Sequence, residues 1–596
     1  MRTKAVRLLY LLTLLTFVPM VRAIGQDAFE TRKHRLLMTA EAESEIRLYS
    51  VAAQLALGKD IPRALALFDS LAGDSTSGGA FHGYVLMGTF LKFRGILPDS
   101  LHRKVRETFH HRYMYRGDTE NHWVMYYTGM YLAAQTWPGE EGTRWFNGRS
   151  STENFREAEG WLNHWMTLTT TVGQGEFDSP TYMPVFLAPM LVLCDFAADT
   201  VMRRKAQMMC DLLLSDFAVE HLRGNYGGGH SRDYPADIIN PLIAQTTRIS
   251  WLYFGEPKRE LWEEPDYTPR YRGSWESVFA ALSTYRIPDM IVQIATDRSA
   301  MYVHRERKRV RNVIRFGDAL NPPAYKYTYM TADYVLGSLH GGILEPFQQH
   351  TWDVTFVSDK PYNSIFTVHP YHSGRQLGMF FPEELNVLSK DVDRYKVVYT
   401  NPDKWNSSSP FEQTFQYRNV LIVLYSIPPG AQHPHIDAFF PGTLDVRTVD
   451  STGWILCRGG NTAVALYPLQ PYEWIAEGTH WRLRSHRPRN GAVVEVTAVR
   501  DVADYDTFVR RIRSRSPRVF DREDSLRVTY TSSGGDVLEF HYDGPRLLNG
   551  TPMDPSTTRL YDGPFMSADV GSGVIELRYG GRTRTLNFPQ ARIIDR

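Results

Sequence analysis

The order of apolar and polar residues divides this chain into a helical first half and a β-rich second half. From residue 28 to about 285, apolar positions recur at helical spacing and are broken by short Gly, Pro and Asp punctuation. In Ile61–Ala72, Pro62 suits a first helical turn, and Ala64, Leu65, Leu67, Phe68 and Leu71 make a broad apolar face. The pattern continues over residues 79–93 and 100–113. Ser150 with Glu153 reads as a capping box ahead of Trp161, Leu162, Trp165 and Leu168. Asp199 reads as the N-cap of a helix whose stripe is Met202, Ala206, Met209, Leu213 and Phe217. Another helical run is expected over 237–254. About ten such helices with short connections, and no fixed repeat, predict a closed or partly closed ring of hairpins rather than a solenoid.

The pattern changes near Tyr285, and from about Ile291 strands are expected. Residues 325–330, 352–357, 420–425, 493–499, 526–531 and 574–579 carry the β-branched and aromatic residues of strands, separated by turn residues. The fold class expected is α+β and multidomain. An N-terminal (α/α) toroid of helical hairpins over 24–285 precedes a large antiparallel β-sandwich over 286–501 and a C-terminal β-rich region over 502–596. The basic stretch His304–Arg315 reads as a solvated strand or interdomain connection, with contact to an anionic polymer as the other reading.

With 596 residues the chain exceeds one typical core. Arg2, Lys4 and Arg7 precede an apolar run from Leu8 to Met20, and Val21-Arg22-Ala23 supplies a cleavage site, so residues 1–23 read as a signal peptide. The expected mature chain is periplasmic or secreted. The apolar run is too short to span a bilayer and none of that length follows, so no stable membrane insertion is expected. The 67 Lys and Arg nearly balance 66 Asp and Glu, which leaves no global field for nucleic acid. Three cysteines are too few for a disulfide framework. Cys194 and Cys210 are in reach of each other if their helices face, and buried free thiols are the favoured state.

The candidate chemistry centres on Gly224–Tyr234. Three consecutive glycines between helices are costly to order and permit close backbone approach. They introduce His230, Arg232, Asp233 and Tyr234: a base, a fixed cation, a carboxylate and a phenol. This loop reads as one wall of a site for an acidic carbohydrate, or as a helix stop and polar surface loop. The 13 Trp and 33 Tyr offer flat faces for sugar rings as well as core volume.

A signal peptide, helical toroid and antiparallel sandwich in that order resemble the polysaccharide lyases of the heparinase II/III, chondroitin, hyaluronate and alginate lyase superfamily. The stretches that carry the resemblance are Thr119-Glu120-Asn121-His122-Trp123, residues 173–182, and the glycine loop. It implies a carbon–oxygen lyase acting on glycosaminoglycan or alginate, with Asn121, Tyr182, His230, Arg232 and Tyr234 as catalytic candidates. His122, Trp123, Glu176, Gln349 and His350 are the candidates for substrate binding, and Gln348 adjoins them. In place of the His of the family pattern, this chain has Asp178 or Ser179.

β-Elimination on a uronic acid needs the carboxylate neutralised before the C5 proton leaves. Asn121 can donate to that carboxylate and Arg232 can bind it bidentately, while Tyr182, Tyr234 or His230 takes the proton. Two other readings stay open. One is an inverting glycoside hydrolase on the same toroid, with its carboxyl pair drawn from Glu176, Asp178, Asp233 and Asp237. The other is a catalytically inactive secreted carbohydrate-binding protein. No cofactor is required by the elimination. His433, His435 and Asp437, with His369 and His372, could hold a structural divalent metal in the sandwich, against the ordinary reading of a polar strand end.

Overall fold

The computed structural model describes residues 28–43, 45–73, 79–117, 119–258, 275–309, 323–341, 348–372, 400–407, 409–522 and 525–596. The expected signal peptide lies outside the described residues. Among them no helix is long and apolar enough to cross a membrane.

Helices form a closed ring in two layers. The inner wall is made by Leu48–Leu57, Ala80–Phe93, Glu120–Thr136, Met183–Phe196 and Glu276–Leu282, each packed on the next and the last packed back on the first. These segments lack a continuous polar face; Met183 to Leu193 is buried at every position, as a helix covered on all sides must be. Outer helices are amphipathic: Ile61–Ala72 buries Ala64, Phe68 and Ala72, and Ser151–Thr171 buries Ala158, Leu162 and Trp165. Two inner helices meet at Gly129, where a Cβ would stand 2.9 Å from the backbone at Gly83 and Tyr84. The ring closes where the Tyr49 and Tyr84 hydroxyls meet at 2.6 Å and both rings contact Phe279.

The capping box at Ser150 and the Asp199 cap form as the sequence indicates. The run expected over 237–254 is broken into Pro235–Ile239, a 3-10 turn Pro241–Ile243 and Gln245–Phe254, because Pro241 has no N–H to continue the helix. Ile291 does not open the β-rich region. It lies in the helix Asp289–Thr296, which buries Met290, Ile291, Ile294 and Ala295, and the first strand of the sandwich is Tyr302–Lys308.

Among the described residues the sandwich has a thirteen-stranded and a six-stranded antiparallel sheet. The strand Val420–Ser426 shows why its sequence is solidly apolar. Leu421, Val423 and Tyr425 face the larger sheet, whereas Val420, Ile422 and Leu424 face a five-stranded sheet (residues 518–552) and the helix Tyr505–Arg513. Both faces are therefore buried. The strands from Tyr561 to Asp595 return to the larger sheet, where Tyr561 pairs with Glu306 and Asp562 with Arg305. Their inner side chains, Leu560, Met566, Ile575, Leu577 and Leu586, join the core of the helical ring. All three cysteines are free thiols.

Ring and sandwich meet through buried charge. Along Tyr302–Lys308, His304, Glu306 and Lys308 point inward, so the basic stretch is an interdomain strand with a buried face rather than a solvated one; residues 310–315 lie outside the described residues. The Lys308 ammonium contacts Asp178 at 3.0 Å, Asp216 at 2.8 Å and Glu306 at 2.7 Å. Lys326 contacts Asp178 at 2.7 Å and also Glu220. Burial opposes charge at Asp178, yet the two lysines outweigh it and hold its pKa well below the usual range. At Asp216 and Glu220 burial, joined by repulsion from Glu306, wins and raises the pKa well above that range. Asp216 and Glu220 ionise near pH 4 when unfolded. Their contribution to stability is therefore full at low pH and is lost as pH rises from about 4 toward their raised values. The Asp178 contribution runs the other way, being present above about pH 4 and lost as pH falls.

Lys326→Met removes the cation beside Glu220 and one of the two beside Asp178, and urea unfolding should register a loss of about 3–5 kcal/mol. Adding Glu220→Gln should recover part of it; an unchanged midpoint in the single variant would deny the network its structural role.

Candidate active site

The glycine loop lies flush against the sandwich, which is why it contains glycines. A Cβ on Gly227 would come 2.1 Å from Val335, and one on Gly229 would come 2.4 Å from Leu339 and 2.9 Å from the Thr351 carbonyl. No larger residue fits without displacing a strand. The loop then pairs with the sandwich: His230 and His350 exchange backbone hydrogen bonds of 2.8 and 3.0 Å, and Asp233 N–H donates to the Gln348 carbonyl at 2.8 Å. The loop is thus an interdomain seam and not a polar surface loop.

Four segments bring one polar cluster together. Thr119 caps the helix Glu120–Thr136, which frees Asn121 to donate through its backbone N–H (3.1 Å) and its side-chain amide to one carboxylate oxygen of Glu176. The other oxygen is 3.0 Å from Arg232 Nε. Arg232, at φ +54°, donates its remaining nitrogens to Gln348 and, at 2.9 Å, to the Tyr182 hydroxyl, while its guanidinium covers the Tyr182 ring at 4.6 Å. Tyr182 and Tyr234 hydroxyls meet at 2.8 Å. Ser179 ties the two loops, its hydroxyl accepting from the Tyr182 N–H and donating to the Arg232 carbonyl.

Asn121 and Glu176 are 0% and 1% exposed and Arg232 6%, whereas the two tyrosines are half-buried. The phenols are therefore the least buried part of the cluster. Burial raises the Tyr182 pKa, with Arg232 pulling against it. Arg232 is the group that favours a phenolate at Tyr182, while burial and the neighbouring Tyr234 favour the neutral phenol.

The other expected residues lie elsewhere. His230 donates from Nε2 to the Tyr226 carbonyl at 3.1 Å, and its buried Nδ1 has no hydrogen-bond partner among the described residues. Burial and the nearby Lys326 hold its pKa well below the ordinary value, so it is neutral. His350 stacks beside it, and Gln349 pairs with Ser407 and Thr351. His122 meets Phe81 edge-on, and Trp123 donates to the Gly117 carbonyl and packs against Trp161. Neither joins the Arg232 cluster.

The four candidate carboxyl groups are all buried. Asp178 is held between two lysines and Glu176 by Arg232. Asp233 is raised well above the usual range by burial and by Asp237, which accepts from Thr181 at 2.5 Å. In the sandwich, Asp437 accepts from Arg482 and Arg484, and His435 is 3.7 Å from it. His369 contacts Ser409 at 2.7 Å and the His433 carbonyl at 2.9 Å, and His372 is buried. Among the described residues the carboxylates grouped closely enough for a metal are Asp178, Asp216 and Glu306, and the Lys308 ammonium lies among them.

Gln348 was the least conspicuous member of the cluster in the sequence, and Lys308 and Lys326 were missed. A signal for the lysines existed: in Tyr-Lys-Tyr-Thr-Tyr-Met, Lys326 and Thr328 share the face opposite three tyrosines. Because Arg232 neutralises Glu176 in a buried setting, Arg232→Ala should cost about 3–5 kcal/mol of stability, and Glu176→Gln in the same chain should restore most of it. Thermal unfolding of the two variants checks this; equal melting of Arg232→Ala and the parent would contradict it.

No protein-family model and no curated protein matches the sequence. Among solved structures, the chain is similar to heparinase III, at 10% identity and a TM-score of 0.39, with 83% of this chain and 82% of that one covered. It is also similar to the chondroitin AC lyase of Streptomyces coelicolor A3, solved with chondroitin sulphate, at 10% identity and a TM-score of 0.40, covering 94% and 84%. A third similarity is to the heparan sulfate lyase HepC of Pedobacter heparinus, at 8% identity and a TM-score of 0.21, covering 83% and 82%.

Proposed function

We propose that the protein is an exported polysaccharide lyase that cleaves a uronic-acid-containing chain by β-elimination at the Tyr182–Tyr234 pair. The observation that carries this reading is the 2.8 Å contact between two half-buried phenols, one of them held by Arg232 at 2.9 Å. In the reaction, phenolate oxygen takes the C5 proton, the C5–H electron pair becomes the C4=C5 double bond, and the C4–O4 bond breaks. The second phenol gives its proton to O4. Its phenolate then recovers a proton across the phenol–phenol hydrogen bond, which restores the starting pair.

Arg232 has its nitrogens committed to Glu176, Gln348 and Tyr182. In this reading it acts through the phenol, stabilising the phenolate, and not as a bidentate clamp on the uronate. Its charge also favours the carboxylate on which negative charge grows in the transition state.

Ultraviolet absorbance of the unsaturated product, followed over a panel of uronic-acid polymers, tests the proposal. Tyr182→Phe and Tyr234→Phe should each lower turnover by roughly 100-fold to 10,000-fold with little change in melting temperature. Since Tyr182 has a raised pKa, its base form grows with pH, and kcat/KM should climb continuously from pH 7 to 9. A base at His230, neutral throughout that range, would give a flat profile. Reducing ends without absorbance would establish hydrolysis instead, and neither signal would leave a binding protein.

A further inference from the structure

The segment between the helices Asp99–His111 and Glu120–Thr136 turns aromatic side chains outward: Tyr113 is 72% exposed and Tyr115 47%. With Arg116, Tyr126, Phe146 and Arg149 they line a groove of about 330 Å³. That volume is at the lower end of ligand sites, about 300–1,000 Å³, and suits one or two sugar rings. None of these residues belongs to the cluster around Arg232.

The charged residues that line the groove are Arg116, Arg149 and Glu157, two guanidinium groups against one carboxylate. Arg116 lies over the Trp123 ring at 4.6 Å and donates to the Tyr127 hydroxyl at 3.3 Å; among the described residues no carboxylate forms an ion pair with it. Arg149 pairs with Glu157 on one side while about half of its side chain stays exposed (52%). The Tyr113 and Phe146 rings are perpendicular with centroids 6.2 Å apart, and Tyr113 stays 72% exposed.

We propose that this groove binds an acidic oligosaccharide, carboxylated or sulfated, at a site separate from the tyrosine pair. Tyr113 and Tyr115 offer flat apolar faces to sugar rings, and Arg116 and Arg149 offer planar donors to the acidic groups. The proposal stands whether or not the tyrosine pair turns the glycan over.

Electrophoresis through native gels containing alginate or a sulfated glycosaminoglycan tests it. The protein carrying Tyr182→Phe and Tyr234→Phe avoids turnover and should be retarded. Adding Tyr113→Ala, a change to a ring that is 72% exposed, should weaken binding at least tenfold without moving the melting temperature. A carboxyl-reduced or desulfated polymer should not retard the parent. Equal retardation of parent and groove variant, absence of retardation of the parent, or equal retardation by single-stranded DNA would each overturn the proposal. Groove changes in the otherwise natural chain should leave formation of unsaturated product from a short oligosaccharide unchanged. A failure of turnover and a failure of the groove are therefore read separately.

Discussion

Two lysine ammonium groups buried between ring and sandwich determine where everything else in this protein lies. Asp216 and Glu220 are four residues apart on one helix face, and each meets its own lysine, Lys308 and Lys326. Asp178 comes from a separate loop in the left-handed region, at φ +50°. Lys308 and Lys326 arrive on neighbouring strands, with Lys326 directly opposite Glu306 in the sheet register. Apart from the Lys308–Glu306 contact within one strand, the lysine–carboxylate pairs here join different segments. The two halves of the molecule are complementary at this point, and a shifted strand would leave carboxylates buried without a cation.

The candidate site is built on the same seam. Arg232 is gripped from the ring side by Glu176 and from the sandwich side by Gln348, so its orientation depends on both halves being in register. The glycine loop transmits that register, because it has no side-chain volume to separate His230 from His350. The result is a rigid, largely dehydrated cluster with two phenols at its least buried side. Preorganisation of this kind suits chemistry in which charge moves but the protein does not.

Much of this was legible in the sequence, and the reasons are local. Helix caps such as Ser150 and Asp199, the stripes of the outer helices, and the doubly apolar strand Val420–Ser426 each announce themselves within a few residues. Of the candidate site residues, Asn121, Glu176, Tyr182, Arg232 and Tyr234 lie in one cluster, whereas His122, Trp123, His230, Gln349 and His350 have other partners. What could not be read was partnership. That Asn121 and Arg232 both turn toward Glu176, or that Lys308 faces Asp178 130 residues away, depends on how two layers dock, and composition does not encode docking. Ile291 misled for a related reason: a short stretch rich in Ile and Val has the same appearance in a buried helix and in a strand.

The return of the Tyr561–Asp595 strands to the ring has a consequence for biosynthesis. Arg584 closes on Asp211, a carboxylate made 373 residues earlier, and Leu577 and Leu586 complete a core begun by the first helices. At translation rates of about 5–20 residues/s the ring waits roughly 20–75 s for these strands. The ring's core is therefore completed only by the last strands of the chain, and its final packing is coupled to theirs.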